Sequence, residues 1–461
     1  MADVVCISPI DGREVARRMP ASAAQIATAI DRARAAQPDW ARVPMHERKA
    51  AMLRFLAAMR AVNDEVVVEL ALQMGRPVRY GGEFRSLEER VGYMIELAER
   101  ALKPITPPPQ ETSLRRIERR PRGLVLSIAP WNYPFLTAAN TIIPALLAGN
   151  AVLLKAASQT LLTGERFQRA MDTAGVPRGV FQNLLLGHDD VARLLLGGHI
   201  DHVSFTGSVE GGRAIEHAAA GTFTSVALEL GGKDPAYVRP DARLGFTIEN
   251  IVEGAFFNSG QSCCAIERIY VHEAVYARFI EEFMSRVHAY VLEDPLDAAT
   301  TLGPMAATRF AERVREHTRE ALARGARAHI DPALFKRDRE DTPWLAPQVL
   351  TGVDHGMRVM REESFGPVVG VMRVQDDEQA VAHMNDSPYG LSASIWTEDL
   401  PAAECIGERL ETGTVYANRC DYLDPALAWT GVKDSGRGAS LSRIGYEMLT
   451  RPKSYLLRRV P

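Results

Sequence analysis

The sequence predicts an α/β protein built on open parallel sheets. From Gly123 onward, short β-branched runs alternate with helical segments, and a second series of the same kind spans about 269–415. Such alternation implies parallel strands joined by crossover helices. The length, 461 residues, fits two or three units at roughly 150 residues each.

The first hundred residues read as helix after helix. Ser22 can cap a helix end through its hydroxyl while Gln25, three positions on, reaches back. Met52, Phe55, Leu56 and Met59 recur at helical spacing, so one face of 46–62 should pack against something larger. The stretch 104–109, PITPPP, lacks the N–H groups a helix interior needs and marks a boundary or an extended arm. Five strands follow, at Leu124–Ile128, 151–154, 180–186, 202–205 and 225–230, and 429–437 reads as a loop. Open parallel sheets bind ligands beyond the carboxyl ends of their strands, which directs attention to the residues there.

Lys+Arg 54 against Asp+Glu 58 leaves a net charge of −4, without the basic excess that nucleic acid or anionic membrane favours. Small-molecule chemistry is the expectation. Five cysteines (Cys6, Cys263, Cys264, Cys405, Cys420) are too few, and odd in number, for a disulfide scaffold, and they point to a reducing, cytoplasmic compartment. The N-terminus has no basic segment followed by an apolar one, so no signal peptide is expected. The most apolar stretch, 138–154, is broken by Asn140, Pro144, Gly149 and Asn150, whereas a spanning helix needs about 20 mostly apolar residues.

Several residues beyond the strands could carry chemistry. Asn132 sits between Pro130 and Pro134, where its amide could face a developing negative charge or merely satisfy a turn. Lys155 ends the second strand and can reach hydroxyls or phosphate, or remain solvated. Gly207 and Ser208 open a helix, suited to a pyrophosphate or to simple capping. Glu229 closes the fifth strand ahead of Gly231 and Gly232, and a buried carboxylate near a thiol has a task as general base. Cys263 lies on a Gly-Gln-Ser turn, more accessible than a strand cysteine, while Cys264 reads as a small core hydrophobe. His199 and His202 have no partners at zinc spacing, so no metal site is expected. Ser127 and Ser435 lack the setting of a hydrolase nucleophile.

Taken in order, these segments resemble the NAD(P)-dependent aldehyde dehydrogenase superfamily over nearly the whole chain. The resemblance is carried by PWNYP at Pro130 to Pro134, Leu154-Lys155, FTGS at Phe205 to Ser208, ELGGK at Glu229 to Lys233, GQSC at Gly260 to Cys263, EESFGP at Glu362 to Pro367, NDSPYGL at Asn385 to Leu391 and KDSG at Lys433 to Gly436. The 34-residue interval from Glu229 to Cys263 is similar to that of the hydrolytic, non-CoA-acylating branch.

The resemblance implies a Rossmann-type cofactor domain, an α/β catalytic domain and a small β oligomerisation arm. Residues 1–100 and 123–231 would form the first and 232–433 the second, with 101–122 and 434–461 as a subunit-bridging sheet paired across a homodimer or dimer of dimers. It implies Cys263 as nucleophile, Asn132 as oxyanion donor and Glu229 as the base that activates water on a thioester. Trp131, Lys155, Ser158, Gly207, Ser208, Gly231, Glu363 and Phe365 would surround NAD or NADP. Ser158 stands where many NAD-preferring members have a ribose-binding glutamate, which leaves NADP open. The substrate pocket would be lined by Tyr133, Leu136, Thr137, Ser262, Cys264, Asp421, Leu423 and Trp429. Trp429-Thr430-Gly431-Val432 departs from the family's usual Pro-Phe-Gly-Gly, which implies a pocket of different shape there. Arg419 is a candidate anchor for the carboxylate of a semialdehyde. A CoA-acylating dehydrogenase and a cofactor-free thiol esterase are the competing readings, the first disfavoured by Glu229.

Overall fold

The computed structural model describes residues 3–460. An antiparallel hairpin of Val4–Ile7 and Glu14–Arg18 precedes the helices Ala23–Arg42, Met45–Ala61, Asn63–Met74 and Phe84–Ala101. The first helix starts as its sequence dictates: the Ser22 hydroxyl accepts the Gln25 amide at 3.3 Å, and the Gln25 side chain accepts the Ser22 amide at 2.8 Å. Met52, Phe55, Leu56 and Met59 are all buried, in one core with Ile142, Leu146 and Phe167. The amphipathic stripe therefore does pack onto the sheet's helices.

The first sheet places Phe181–Asn183, Ala151–Lys155, Leu124–Ile128, His202–Thr206 and Ser225–Glu229 side by side, all parallel. In chain order that is 3-2-1-4-5, the arrangement whose reversal between the first and fourth strands opens a crevice for a dinucleotide. Every residue of Leu124–Ile128 is buried, as expected of a strand covered on both faces. The expected strand 180–186 is shorter, Phe181–Asn183. Leu184 still donates to Leu154 O at 2.9 Å, but the chain then turns into the helix His188–Leu196.

The second sheet orders Arg327–Ala328, Gln348–Thr351, Val368–Val374, Ile266–His272, Asp234–Val238, Ser392–Trp396 and Thr414–Ala417. All its pairings are parallel except the first. The mixed α/β class with parallel sheets is thus as the sequence predicts.

Two expectations change at the C-terminus. The strand Ser113–Pro121, just beyond the proline-rich stretch, pairs with Thr450–Arg458 of the same chain, from Ser113↔Arg458 to Pro121↔Thr450. Thr450, the first residue of a strand that closely follows the helix Ser442–Met448, sits opposite Pro121, three residues before Leu124. The segment 429–437 is also more ordered than a loop: Val432–Lys433 pairs with Tyr389–Gly390, and Gly436–Arg437 adds an antiparallel edge to the first sheet beside Glu229. A Cβ on Gly436 would meet Leu228 O at 2.1 Å, so glycine is required for this close approach. Among the described residues no helix is long and apolar enough to cross a membrane.

Candidate active site

The loop carrying Asn132 is held from beneath. Arg76 and Glu83 form an ion pair at 3.0 Å, with 3% and 2% of their side chains exposed. The second Glu83 oxygen accepts the amides of Phe135 and Leu136 at 3.0 and 2.7 Å, at the start of the helix Pro134–Leu147, where a carboxylate suits the unsatisfied N–H groups. Arg76 also donates to the Asn132 carbonyl. The Asn132 side chain, buried at 4% exposure, donates from Nδ2 to Gln261 O at 3.1 Å. This ties it to the turn that presents Cys263.

That turn is unusual backbone. Asn258 and Ser259 adopt φ of 52° and 57°, and the Gln261 side chain closes the loop by donating to Asn258 O at 3.0 Å and accepting the Ala306 amide at 2.9 Å. A non-glycine pair in the left-handed region persists only where the surroundings fix it, commonly at functional sites. Cys263 is half-buried and lines a cavity of 560 Å³ together with Tyr133, Leu136, Thr137, Ser262, Cys264, Asp421 and Leu423. Seven of the eight expected pocket residues therefore converge there. Trp429 is not among the residues lining the cavity: it is buried in a cluster with Cys264, Leu391 and Leu441, against which Cys263 and Leu423 pack, and its backbone is bridged to Ser440. Asp421, at φ 45°, accepts from the Ser262 hydroxyl at 2.7 Å and the Cys264 thiol at 3.0 Å. Cys264 is buried, as read from the sequence, yet it is also hydrogen-bonded.

Arg419 stacks on Tyr422 with its guanidinium carbon 3.5 Å from the ring centroid, an exposed position at the mouth of the cavity. Sequence reasoning passed over Arg90 in the same lining, half-buried and hydrogen-bonded to Asn140 Oδ1 at 3.3 Å. Its helical spacing could have flagged a basic residue on the inner face of Phe84–Ala101.

Glu229 ends its strand as expected, but its carboxylate lies in a small neighbouring cavity with Thr206 and Ser440 rather than in the cavity of Cys263. Thr206 Oγ1 donates to it at 3.3 Å. Burial pushes its pKa up, partly offset by the Thr206 hydroxyl.

The residues expected around a dinucleotide gather at the carboxyl edge of the first sheet. Lys155 closes its strand there, and burial lowers its pKa. Among the described residues it makes no ion pair. Ser208 caps the helix Val209–Ala219, accepting the Gly211 amide at 3.1 Å, and leaves the first-turn amides directed outward. Ser158 is exposed at the start of a short turn after Lys155. Glu363 accepts the Gly232 amide at 3.2 Å, and burial pushes its carboxyl up to about 8. A Cβ on Gly231 would fall 2.2 Å from the same carboxylate. The Phe365 ring, on a residue with φ of 52°, meets Trp131 edge-on at 5.6 Å. An unpaired ammonium, a capped helix N-terminus and a carboxylate lacking a cation form the donor and acceptor set that ribose hydroxyls and a pyrophosphate require, so the residues fit a dinucleotide.

Sequence reasoning gave Lys233 and Glu267 no role. Lys233, 1% exposed, pairs with Glu267 and donates to Ser364 Oγ at 3.0 Å, while Glu267 accepts the amides of Ser364 and Phe365 at 2.8 and 2.9 Å. The pair fixes the loop that bears Glu363 and Phe365. His202 is buried in its strand with its pKa lowered to about 3, and no group of three or more His, Cys, Asp or Glu among the described residues could hold a metal ion.

A nucleotide-type crevice beside a cysteine-bearing cavity is the setting of a dinucleotide-dependent oxidoreductase. Residues 2–455 match the profile of the aldehyde dehydrogenase family, and the chain belongs to that family. It is similar to an aldehyde dehydrogenase of Paenarthrobacter nicotinovorans, 37% identical over 91% of this chain and 92% of the relative. It is also similar to a succinate-semialdehyde dehydrogenase [NADP(+)] of Deinococcus radiodurans, 33% identical over 99% and 94% of the two chains. A solved structure of a P. syringae indole-3-acetaldehyde dehydrogenase, a cysteine-to-alanine mutant in complex with NAD+ and IAA, superposes with a TM-score of 0.94 at 30% identity, covering 99% of this chain and 93% of that one.

Proposed function

We propose that the protein oxidises an aldehyde to the carboxylic acid, with NAD or NADP as acceptor and Cys263 as nucleophile. The observation that carries this reading is the placement of Cys263 in a cavity of 560 Å³, on a turn tied to the Asn132 amide. Bound in the adjoining crevice, the dinucleotide supplies a hydride acceptor. The Cys263 thiolate adds to the aldehyde carbon, and Asn132 Nδ2 with the Cys263 amide stabilises the oxyanion that forms. After oxidation the acyl group is held as a thioester on Cys263. Glu229 takes a proton from the water that hydrolyses it, for which its side chain leaves Thr206 and turns towards Cys263.

Lys155 binds the adenosine ribose, Ser208 and the helix it caps hold the pyrophosphate, and Glu363 accepts from the nicotinamide ribose. With Ser158 in place of a carboxylate, nothing there repels a 2′-phosphate, which supports use of NADP as well as NAD. In the same reading 1–100 with 123–231 is the cofactor domain and 232–433 the catalytic domain. The segments 101–122 and 434–461 form a bridge between subunits, whose two-stranded sheet closes within each chain. Five free cysteines support a reducing, cytoplasmic setting.

Glu229 separates this reading from transfer of the acyl group to coenzyme A, and the nucleotide crevice separates it from a cofactor-free esterase. A panel of aldehydes assayed with NAD and with NADP, with and without coenzyme A, tests it. Free acid and reduced cofactor in equal amounts are expected. Acyl-CoA as product, or ester cleavage with no aldehyde oxidation, would contradict it.

A further inference from the structure

We propose that Arg90, together with the Tyr133 hydroxyl, anchors a substrate carboxylate, and that the aldehydes oxidised at Cys263 are therefore ω-oxo acids. The inference rests on the chemistry proposed for Cys263 and names the substrate class its cavity selects.

Arg90 lies on the helix Phe84–Ala101 and lines the same 560 Å³ cavity as Cys263. A guanidinium carries five N–H donors in a fixed fork. Arg90 uses one nitrogen, Nη1, to reach Asn140 Oδ1 at 3.3 Å, and among the described residues it makes no ion pair. Its Nε and Nη2 have no protein partner, yet neither is sealed in the interior, so their free side is the cavity that Arg90 lines. Burial works against its charge and pulls its pKa down. Such a group gains from an anion that meets it inside the cavity, through charge-assisted and bidentate hydrogen bonds.

A second free donor stands in the same lining. Tyr133, directly before the helix Pro134–Leu147, has a hydroxyl with no partner in the protein, and it too is not sealed. Arg76 packs on its ring, 4.7 Å from the centroid, and holds it in place. Burial pushes the Tyr133 pKa well up, so the phenol stays protonated and able to donate. An ionised carboxylate only accepts, with about four lone-pair sites, and can take both donors at once.

The acids of the lining decide which anion fits. Glu89 and Glu253 are exposed at the mouth, and Glu89 already accepts the Tyr422 hydroxyl at 2.9 Å. Asp421 is half-buried, accepts from Ser262 and Cys264, and has its pKa pushed up by burial, which disfavours its charge. Among the described residues, Arg90 is the one cation of the lining that is not exposed, since Arg419 is stacked on Tyr422 in solvent, where screening weakens it. A single guanidinium balances one negative charge, whereas a phosphate dianion would keep a net charge close to Asp421. A carboxylate matches the fork. None of the lining residues belongs to 101–122 or 434–461, the segments assigned to the bridge between subunits.

Kinetics with succinic semialdehyde and pentanal, an anionic and a neutral aldehyde of similar length, test the class. The wild type should give a kcat/KM at least ~10-fold higher for succinic semialdehyde, and Arg90→Gln should cut that preference at least ~10-fold, chiefly through KM. Arg90→Lys keeps the charge without the fork and should restore part of the preference. Tyr133→Phe should cut it by about 3-fold, on the scale of one neutral hydrogen bond. A second readout is independent of turnover: alkylation of Cys263 by iodoacetamide, followed on its own peptide, with butanoate or butanamide present. Butanoate should protect the wild type better than butanamide, and Arg90→Gln should abolish the difference. If no aldehyde reduced NAD or NADP, the proposed reaction would fall, while selective protection by butanoate would still uphold the anchor. Preference of the wild type for pentanal, equal losses for both aldehydes in Arg90→Gln, or equal protection by butanoate and butanamide would overturn the proposal.

Discussion

Arg76 and Glu83 meet at 3.0 Å inside the protein, and between them they hold both ends of the Asn132 loop: Arg76 donates to the Asn132 carbonyl and Glu83 accepts the Phe135 and Leu136 amides. Breaking a buried pair leaves one charge uncompensated, at a cost of about 3–5 kcal/mol. Glu83→Ala should lower unfolding stability by about that amount in denaturant titration. It should also lower kcat more than it raises the KM for the dinucleotide, because the displaced loop carries Asn132, the proposed oxyanion donor.

Asn132→Ala removes that donor while leaving Arg76 and Glu83 paired. Loss of one oxyanion donor costs about 10²–10³ in kcat. Steady-state kinetics should show this fall with little change in cofactor binding, and an undiminished kcat would assign Asn132 only to the turn.

How far the sequence reached depends on what each residue does. The placement of Cys263, Lys155, Ser208 and Glu363 was legible because their settings are local: a thiol on a glycine turn, a lysine ending a strand, a serine opening a helix, a carboxyl in a recognisable motif. The parallel sheet was legible for a similar reason, since β-branched runs alternate with helices along the chain. Arg76, Glu83, Arg90, Lys233 and Glu267 were not, because each acts through partners distant in sequence, and a lone charged residue looks the same whether it is solvated or buried in a pair. Pairing of Ser113–Pro121 with Thr450–Arg458 within one chain was equally hidden, since strand composition does not say which chain the partner belongs to. The aromatic character of Trp429 was evident in the sequence, whereas its burial with Cys264, Leu391 and Leu441 was not, since those residues are distant in sequence or on other elements.

The Glu363 carboxyl is pushed up by burial to about 8, from an ordinary value near 4.3. A carboxyl whose pKa rises on folding favours the fold when protonated. Its contribution is therefore full below about pH 4.3 and lost as pH rises to about 8. Without cofactor, Glu363→Gln should flatten that part of the dependence of Tm on pH. Superimposable profiles for variant and wild type would contradict the assignment.

In the proposed binding mode, Ser158→Glu would place a carboxylate beside the 2′-phosphate of NADP. Repulsion between like charges should cut kcat/KM with NADP at least ~10-fold while sparing NAD, equivalent to about 1.4 kcal/mol. An unchanged ratio between the two cofactors would show that the adenosine ribose lies elsewhere.

The central claim is that Cys263 forms the covalent bond to substrate, and Cys263→Ser tests it most directly through the initial rate of NADH or NADPH formation with an aldehyde that the wild type oxidises. A loss of more than ~100-fold is expected, with the dinucleotide still bound at wild-type affinity. Retention of near-wild-type turnover by the serine variant would contradict it.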